Sequence, residues 1–382
     1  MDFSVVELSD EDYEFLNRAR DFLGTNVTGD ALQREHETGD GFVEDVHLAM
    51  GAQGWLEPEA KSAKEGGLTA VQRRIWNLER RRAKLPLETW GGTLMILRAV
   101  RRFGSAELLD EVMPGVYRGA VRFAMGYTEP EGGSDIATCK TRAVPDDDYW
   151  IINGQKMFTS GAHNCQYIFL LTNTDPNGRR HRNLTMFLVP TDSPGIEIHG
   201  LRTVDGERTN VTYYSDVRIP DRYRLGEVND GWTVLNGPLS AEHGSDGPDP
   251  AGLADIATMG SFGAAMADAA DAAASQANLS DGSVTYRLGR AHARIEMALS
   301  TPGIFGRVAI AQTMRDIAPD LMDVAGSASA LRSQVAGSAG VTEYLYRWAP
   351  LVGIYGGTID VFRNMIAQHV LGLGRPNYSP PK

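Results

Sequence analysis

Apolar positions change their spacing twice along the chain. Up to about residue 120 they recur at helical intervals. Tyr13, Leu16, Ala19 and Leu23 form a rough stripe behind Ser9 and Asp12, which have the spacing of a capping box, and Gly24 is expected to end that helix. Further helices are expected near 43–50, 71–103 and 106–118. From about 121 the pattern shortens to strands. VRFAMGYT, YWII, QYIFLLT, LTMFLVP, GIEIHG and VTYYSDVRI are rich in aromatic and β-branched residues. PDDD, Asn153-Gly154, DPNG and TDSPG separate them as turns. After Gly226 helical spacing returns over 253–277, 284–317 with a break at Pro302, and 318–371, with residues 244–250 (GSDGPDP) as a loop. The expected fold is α+β and multidomain: an N-terminal helical domain (1–120), a central antiparallel β-domain (121–226) and a C-terminal helical bundle (227–382).

Composition narrows the function. In 382 residues, 37 Lys and Arg face 49 Asp and Glu, a net charge of −12. That balance argues against a nucleic-acid binder, which must neutralise phosphates, but allows a local pocket for one phosphorylated ligand. The basic run RRIWNLERRR (73–82) reads as a solvated helix face, not a nucleic-acid patch. Cys139 and Cys165 are the only cysteines, and no Cys/His ligand spacing occurs, so neither a disulfide framework nor a metal is expected. No apolar run approaches the length of about 18 residues needed to span a membrane. The acidic start MDFSVVELSDEDYEF does not resemble a signal peptide, so a cytoplasmic protein is expected. GxGxxG, GxxxxGK and GxSxG motifs are absent.

Two segments could carry chemistry. MGYTEPEGGSD (125–135) runs from a strand into glycines, which allow close backbone approach to a ligand and can form an anion-binding nest. An ordinary glycine-rich turn would look the same. INGQKMFTSG (152–161) contains Asn153-Gly154, a hairpin signal that would return Phe158 and Ser160 beside the first strand. There a ring and a hydroxyl could bracket a flat heterocycle; a packed hairpin is the plainer reading.

Together these segments resemble the paired flavin-binding strands of the acyl-CoA dehydrogenase family, YxxTEPxxGSD and INGxKxWITN. LTMFLVP, TDSPGIEI, YYSDVRIPDRYRLGEVNDGW (213–232) and IYGGTIDVFRNMIAQHVLGLGRP (354–376) extend the likeness in the same order along nearly the whole chain. The resemblance implies FAD-dependent α,β-desaturation of an acyl-CoA thioester, a fatty acyl or steroid side-chain ester. A carboxylate removes the Cα proton while the Cβ hydride passes to the flavin. Carried over by position, Met125, Tyr127, Thr128, Gly133, Ser134, Phe158, Thr159, Ser160, Thr358, Ile359 and Asp360 would contact FAD. Ser134, Ser240, His243 and Gly357 would meet the substrate. Phe158 stands where the family usually has Trp, and Ser160 where it has Thr.

Three departures accompany the likeness. Many members carry a catalytic Glu in Tyr-Glu-Gly-Thr, whereas this chain reads Tyr355-Gly356-Gly357-Thr358. A minority place the base in Leu-x-x-Glu-Arg, which here reads Leu239-Ser240-Ala241-Glu242-His243, so Glu242 is the implied general base. Its plain alternative is a solvated carboxylate at a helix start. The Arg-x-x-Phe-Gly motif that reaches a partner's FAD pyrophosphate is missing: the region reads VTYRLGRAHARIEM (284–297), and Phe305-Gly306 lies too far along. The Gly-Gly-x-Gly turn is only loosely echoed by GSASAL (326–331) and GSAG (337–340). Members with one such half-site missing are α2β2 heterotetramers sharing FAD between unlike chains. A homologous partner subunit is therefore implied, a homo-oligomer being the alternative, with an electron-transferring flavoprotein as the family's default acceptor. Competing readings are a non-catalytic partner subunit and another flavin oxidase or monooxygenase on the same fold.

Overall fold

The structure is a computed structural model that describes residues 7–86, 88–242, 259–301, 303–332 and 339–374. The chain divides into two compact units, one made essentially of residues up to 241 and the other of residues from 257 onward.

The first unit opens with α1 (Asp10–Asn26), α2 (Gly29–Thr38), α3 (Glu44–Ala52), α4 (Leu56–Ala60), α5 (Ala70–Arg82), α6 (Glu88–Phe103) and α7 (Ala106–Tyr117). The expected capping box forms: the Asp12 amide donates to Ser9 Oγ at 3.2 Å and the Ser9 amide donates to the Asp12 carboxylate at 3.2 Å. The apolar stripe is rotated from the expected one. Phe15, Ala19, Phe22 and Leu23 are buried, while Tyr13 is 54% exposed. Gly24 does not end the helix, which runs on to Asn26, whose side chain donates back to the Phe22 carbonyl at 2.8 Å. The expected helix over 71–103 is two helices. Lys84 takes a left-handed φ of 55°, and Pro86 disfavours helix at the residue before it.

The basic run on α5 is not simply a solvated face. Arg73, Trp76, Asn77 and Glu79 are buried, and Glu79 takes ion pairs from Arg20 and Arg82 at 3.1 and 2.6 Å. Buried Glu59 accepts from Arg80 at 2.8 Å and from the indoles of Trp76 and Trp90 at 3.2 and 3.0 Å. Paired and hydrogen-bonded, these charges can lie inside the helical layer.

His47 on α3 has no such support. It is fully buried between the rings of Phe42 and Trp90, each centroid 5.2 Å away, and neither ring nitrogen has a hydrogen-bond partner among the described residues. Burial, helped by the Arg122 charge, pushes its pKa from 6.5 to about 3. A base whose folded pKa is depressed gives stability that is complete above its unfolded pKa and is lost as pH falls through the folded one. Acidifying from pH 6.5 to 5 should therefore cost about 2 kcal/mol through this one group. His47→Leu should remove that slope, which urea unfolding at the two pH values would read.

Eight strands follow: β1 (Phe123–Gly126), β2 (Arg142–Asp146), β3 (Tyr149–Lys156), β4 (Tyr167–Asn173), β5 (Leu184–Pro190), β6 (Ile196–Arg202), β7 (Arg208–Pro220) and β8 (Arg224–Leu225). They form one sheet in the order β6-β7-β3-β2-β4-β5-β8, with β1 beside β4. Most neighbours are antiparallel, but β1 and β4 are parallel, Phe123 facing Tyr167, and β2 meets β4 in parallel at Arg142 and Asn173. The β2–β3 hairpin lies between β1 and β4 in sequence and supplies the long crossover that parallel neighbours require. β4 and β5 are buried on both faces, with Ile168–Leu171 and Leu184–Val189 all in the core.

Asn153-Gly154 is not the hairpin turn. It lies within β3, where the register to β7 shifts between Ile152 and Gly154, and the β2–β3 turn is made at Asp147, which has φ 51°. Gly154 has φ 147°, and a Cβ there would lie 2.7 Å from the Thr141 backbone, so the glycine serves a bulge and a close strand approach. α8 (Gly231–Glu242) follows the sheet and adds Val234 and Leu235 to the same core.

The second unit is helical: α9 (Met259–Gln276), α10 (Gly282–Leu299), α11 (Gly303–Ala325), α12 (Ala339–Val352) and α13 (Ile359–Met365). α11 packs against the other four, and its Ile310, Met314, Ile317 and Leu321 share one buried core with Ala269, Ala270 and Ala273 of α9. Arg287, Arg290 and Arg294 on α10 pair with Asp320 and Asp316 on α11. The fold is thus α+β: helices, a mostly antiparallel sheet, then a helical bundle. Among the described residues, no helix is long and apolar enough to cross a membrane, and no group of His, Cys, Asp and Glu could hold a metal ion.

Candidate functional site

The two motif segments meet at the ends of β1 and β3. β1 runs into Tyr127 and Thr128, β3 runs into Met157, and the Met157 amide donates to the Thr128 carbonyl at 2.8 Å. Behind this junction lies a buried ion pair. Lys156 is fully buried and its Nζ donates to Glu129 Oε1 at 2.8 Å and to the Tyr127 carbonyl at 3.2 Å. The Glu129 carboxylate also accepts the amides of Lys140 at 2.7 Å and Thr141 at 2.8 Å. Burial alone would raise the Glu129 pKa, but the Lys156 charge and these donors outweigh it and hold it at about 2. Cys139 Sγ lies 3.2 Å from both Glu129 Oε1 and Lys156 Nζ, and burial pushes its thiol up to about 11. Sequence reasoning missed Glu129 and Lys156. Each lies at or just beyond the end of an apolar strand and the two are opposite in sign, but no local pattern pairs them across 27 residues.

In front of the pair the side chains open outward. Gly133, Ser134, Phe158 and Ser160 are exposed, while Met125 and Thr128 are half-buried. The Phe158 ring is 53% exposed although its backbone has a left-handed φ of 58°. Holding a non-glycine residue there costs of order 1–3 kcal/mol and marks a place where the surroundings over-determine the backbone. Lys156 anchors one side. On the other, the Thr159 amide donates to the Asn210 carbonyl at 2.9 Å, and Asn210 Nδ2 donates to the Thr159 carbonyl at 3.0 Å. Thr159 itself is buried, its hydroxyl 3.5 Å from that of Thr212, so it anchors the segment instead of facing outward. Tyr127 is also buried, edge-on to Phe169 at 6.0 Å. Ser160 Oγ lies 3.0 Å from Thr209 Oγ1. Gly161 has φ 73°, and a Cβ there would lie 2.9 Å from Thr89 Oγ1.

The remaining expected residues belong to α8, the segment just after it and the second unit. Gly356 and Gly357 form a left-handed turn with φ of 61° and 91°, which gives Gly356 a backbone role of its own. Thr358 then caps α13, accepting the Val361 amide at 3.1 Å. Ile359 is buried in the second unit's core, and Asp360 is exposed beside Arg363 at 3.6 Å. The backbones of Ser240 and Glu242 belong to α8, and their side chains lie outside the described residues, as does all of His243. Glu242 closes the twelve described residues of α8, so it is not at a helix start. GSASA (326–330) is a short 3₁₀ turn after α11, while residues 333–338 lie outside the described set.

An exposed ring held on a strained backbone, with the Ser160 hydroxyl two residues on, and an open glycine and hydroxyl at 133–134, fits a flat heterocycle with hydrogen-bonding edges. Residues 124–217 match the family described as acyl-CoA dehydrogenase, middle domain. The acyl-CoA dehydrogenase FadE26 of Mycobacterium tuberculosis is 28% identical over 97% of this chain and 99% of its own. The acyl-CoA dehydrogenase IpdE1 of Mycolicibacterium smegmatis is 29% identical over 95% and 98%. FadE29 of Mycobacterium tuberculosis is 39% identical, but that match spans 48% of this chain and 47% of FadE29, about half of each. Among solved structures, the Tcur3481-Tcur3483 steroid ACAD aligns with a TM-score of 0.80 at 28% identity, covering 98% of this chain and 100% of that one. The ChsE4-ChsE5 complex from Mycobacterium tuberculosis aligns with a TM-score of 0.79 at 25% identity, covering 98% and 100%. Fold, motif order and these likenesses agree: residues 124–217 match the acyl-CoA dehydrogenase middle domain, and the chain is similar to acyl-CoA dehydrogenases, a family of oxidoreductases, over nearly its whole length.

Proposed function

We propose that this chain catalyses FAD-dependent α,β-dehydrogenation of an acyl-CoA thioester, working with a homologous partner subunit. The observation that carries the reading is Phe158, exposed and strained beside Thr128 and next to the Ser160 hydroxyl. Bound FAD supplies the hydride acceptor. The chain's residues do the rest. Phe158 offers a ring face, Ser160 and Ser134 offer hydroxyls, Met125 and Thr128 border the opening, and Tyr127 and Thr159 hold it from behind. Thr358 to Asp360 are a second set of FAD contacts. Glu242 takes the Cα proton, because Gly356 has no side chain to accept one. Ser240, His243, Gly357 and Ser134 serve the substrate.

Substrate and partner follow from the relatives. One similar structure is named a steroid ACAD and another a complex of two chains, which supports a steroid side-chain CoA ester and an unlike partner. The missing Arg-x-x-Phe-Gly motif supports the partner independently. An electron-transferring flavoprotein and a cytoplasmic location go with the same reading.

Flavin titration of the chain alone and co-expressed with a homologous subunit tests this. The chain alone should bind FAD poorly, and the unlike pair should hold one FAD. A flavin-saturated homotetramer with normal turnover would contradict the shared site. In the pair, Ser160→Ala should weaken FAD binding by about 1 kcal/mol, roughly fivefold. Phe158→Ala should lower occupancy further, and full flavin retention in both variants would rule out this surface.

A further inference from the structure

We infer that Glu129 and Lys156 are positioning residues for the two flavin-facing segments, an inference that rests on the function proposed above. Neither side chain faces outward. Lys156 is 0% exposed and Glu129 6%. Their ion pair nonetheless joins three pieces of chain. Lys156 closes β3 and reaches the Tyr127 carbonyl at 3.2 Å and the Glu129 carboxylate at 2.8 Å. Glu129 gathers the amides of Lys140 and Thr141. The direct backbone bond from Met157 to Thr128 lies beside the same pair.

These contacts set the distance and register between Thr128 and Phe158. Phe158 comes two residues after Lys156, and its φ of 58° persists only if both flanks are fixed. Asn210 fixes the far flank through Thr159, and the ion pair fixes the near one. Apolar side chains of equal size would fill the same volume, but they have no directional partners and would not select one register. A pair that served stability alone could be exchanged for neutral side chains without consequence at the surface above it. A pair that positions could not.

The double variant Glu129→Gln with Lys156→Met separates the two roles, because it removes both charges at nearly constant volume. It is made in the co-expressed assembly. Its melting temperature should stay close to the parent's. Amide hydrogen exchange over 157–161, measured without added flavin, should be at least about tenfold faster. FAD should bind at least about tenfold more weakly, with an absorption spectrum shifted toward that of free FAD. A folded double variant with parental exchange and parental FAD affinity overturns the positioning role. If the double variant does not fold, Glu129→Asp gives the same test, since it keeps the charge but shortens its reach. Intermediate exchange and affinity are expected for it, and parental values of both overturn the inference. Because exchange is read on the protein alone, it reports on the anchoring even if the parent assembly takes up no FAD. That result would overturn the proposed function and leave the anchoring of 157–161 standing.

Discussion

Lys156→Met alone should destabilise the first unit by about 3–5 kcal/mol, the usual cost of removing one partner from a buried pair. Glu129 would keep the Lys140 and Thr141 amides but lose the cationic partner at 2.8 Å, in a site that is 6% exposed. Its pKa, held at about 2 chiefly against burial by the Lys156 charge, would rise. The variant should therefore regain part of its stability as the pH is lowered and the carboxyl takes up a proton. Adding Glu129→Gln should recover most of the loss at neutral pH, because a fully neutralised site leaves no orphaned charge. Urea unfolding of parent, single and double variants gives the coupling directly. A double variant no more stable than Lys156→Met would show that the cost lies in packing and not in the pair.

Glu242→Gln should lower flavin reduction by an acyl-CoA by about 10²–10⁴-fold, the range for loss of a general base. Gly356 stands at the family's commoner base position with no proton acceptor, and its φ of 61° makes a side chain there costly. On the proposed function the carboxylate comes from elsewhere, and the resemblance puts Glu242, the last described residue of α8, at the alternative motif. Glutamine preserves size and most contacts, so FAD content and CoA-ester binding should change little. Near-normal reduction in the assembled variant would move the base to the partner and leave this chain as the supporting subunit. Gly356→Glu would be no simple rescue, because it adds a side chain at a left-handed position.

The order of helices, sheet and bundle was legible from periodicity, because each element buries a face. The Ser9 cap was legible for the same local reason. Errors arose where tertiary contacts overrode a local rule. Asn153-Gly154 reads as a hairpin turn, yet its glycine is needed where β3 passes close to Thr141. RRIWNLERRR reads as a wet face, yet Glu59 and Glu79 draw part of it inside. The helix expected over 71–103 breaks at Lys84 and Pro86, where a left-handed residue and a proline outweigh the continuing apolar period. In the candidate site, Phe158 and Ser160 are exposed, whereas Thr159, which the motif places with them, turns inward. Glu129 and Lys156 were overlooked because partnership across 27 residues leaves no local pattern.

The proposed reaction is desaturation by a flavin held on the 125–135 and 158–160 segments. Anaerobic mixing of the purified unlike pair with a steroid side-chain CoA ester tests it most directly. Bleaching of the oxidised-flavin absorbance and release of one equivalent of the α,β-unsaturated thioester are expected. Unbleached flavin with unchanged thioester in a flavin-loaded pair would contradict it, as would a product carrying oxygen in place of the new double bond.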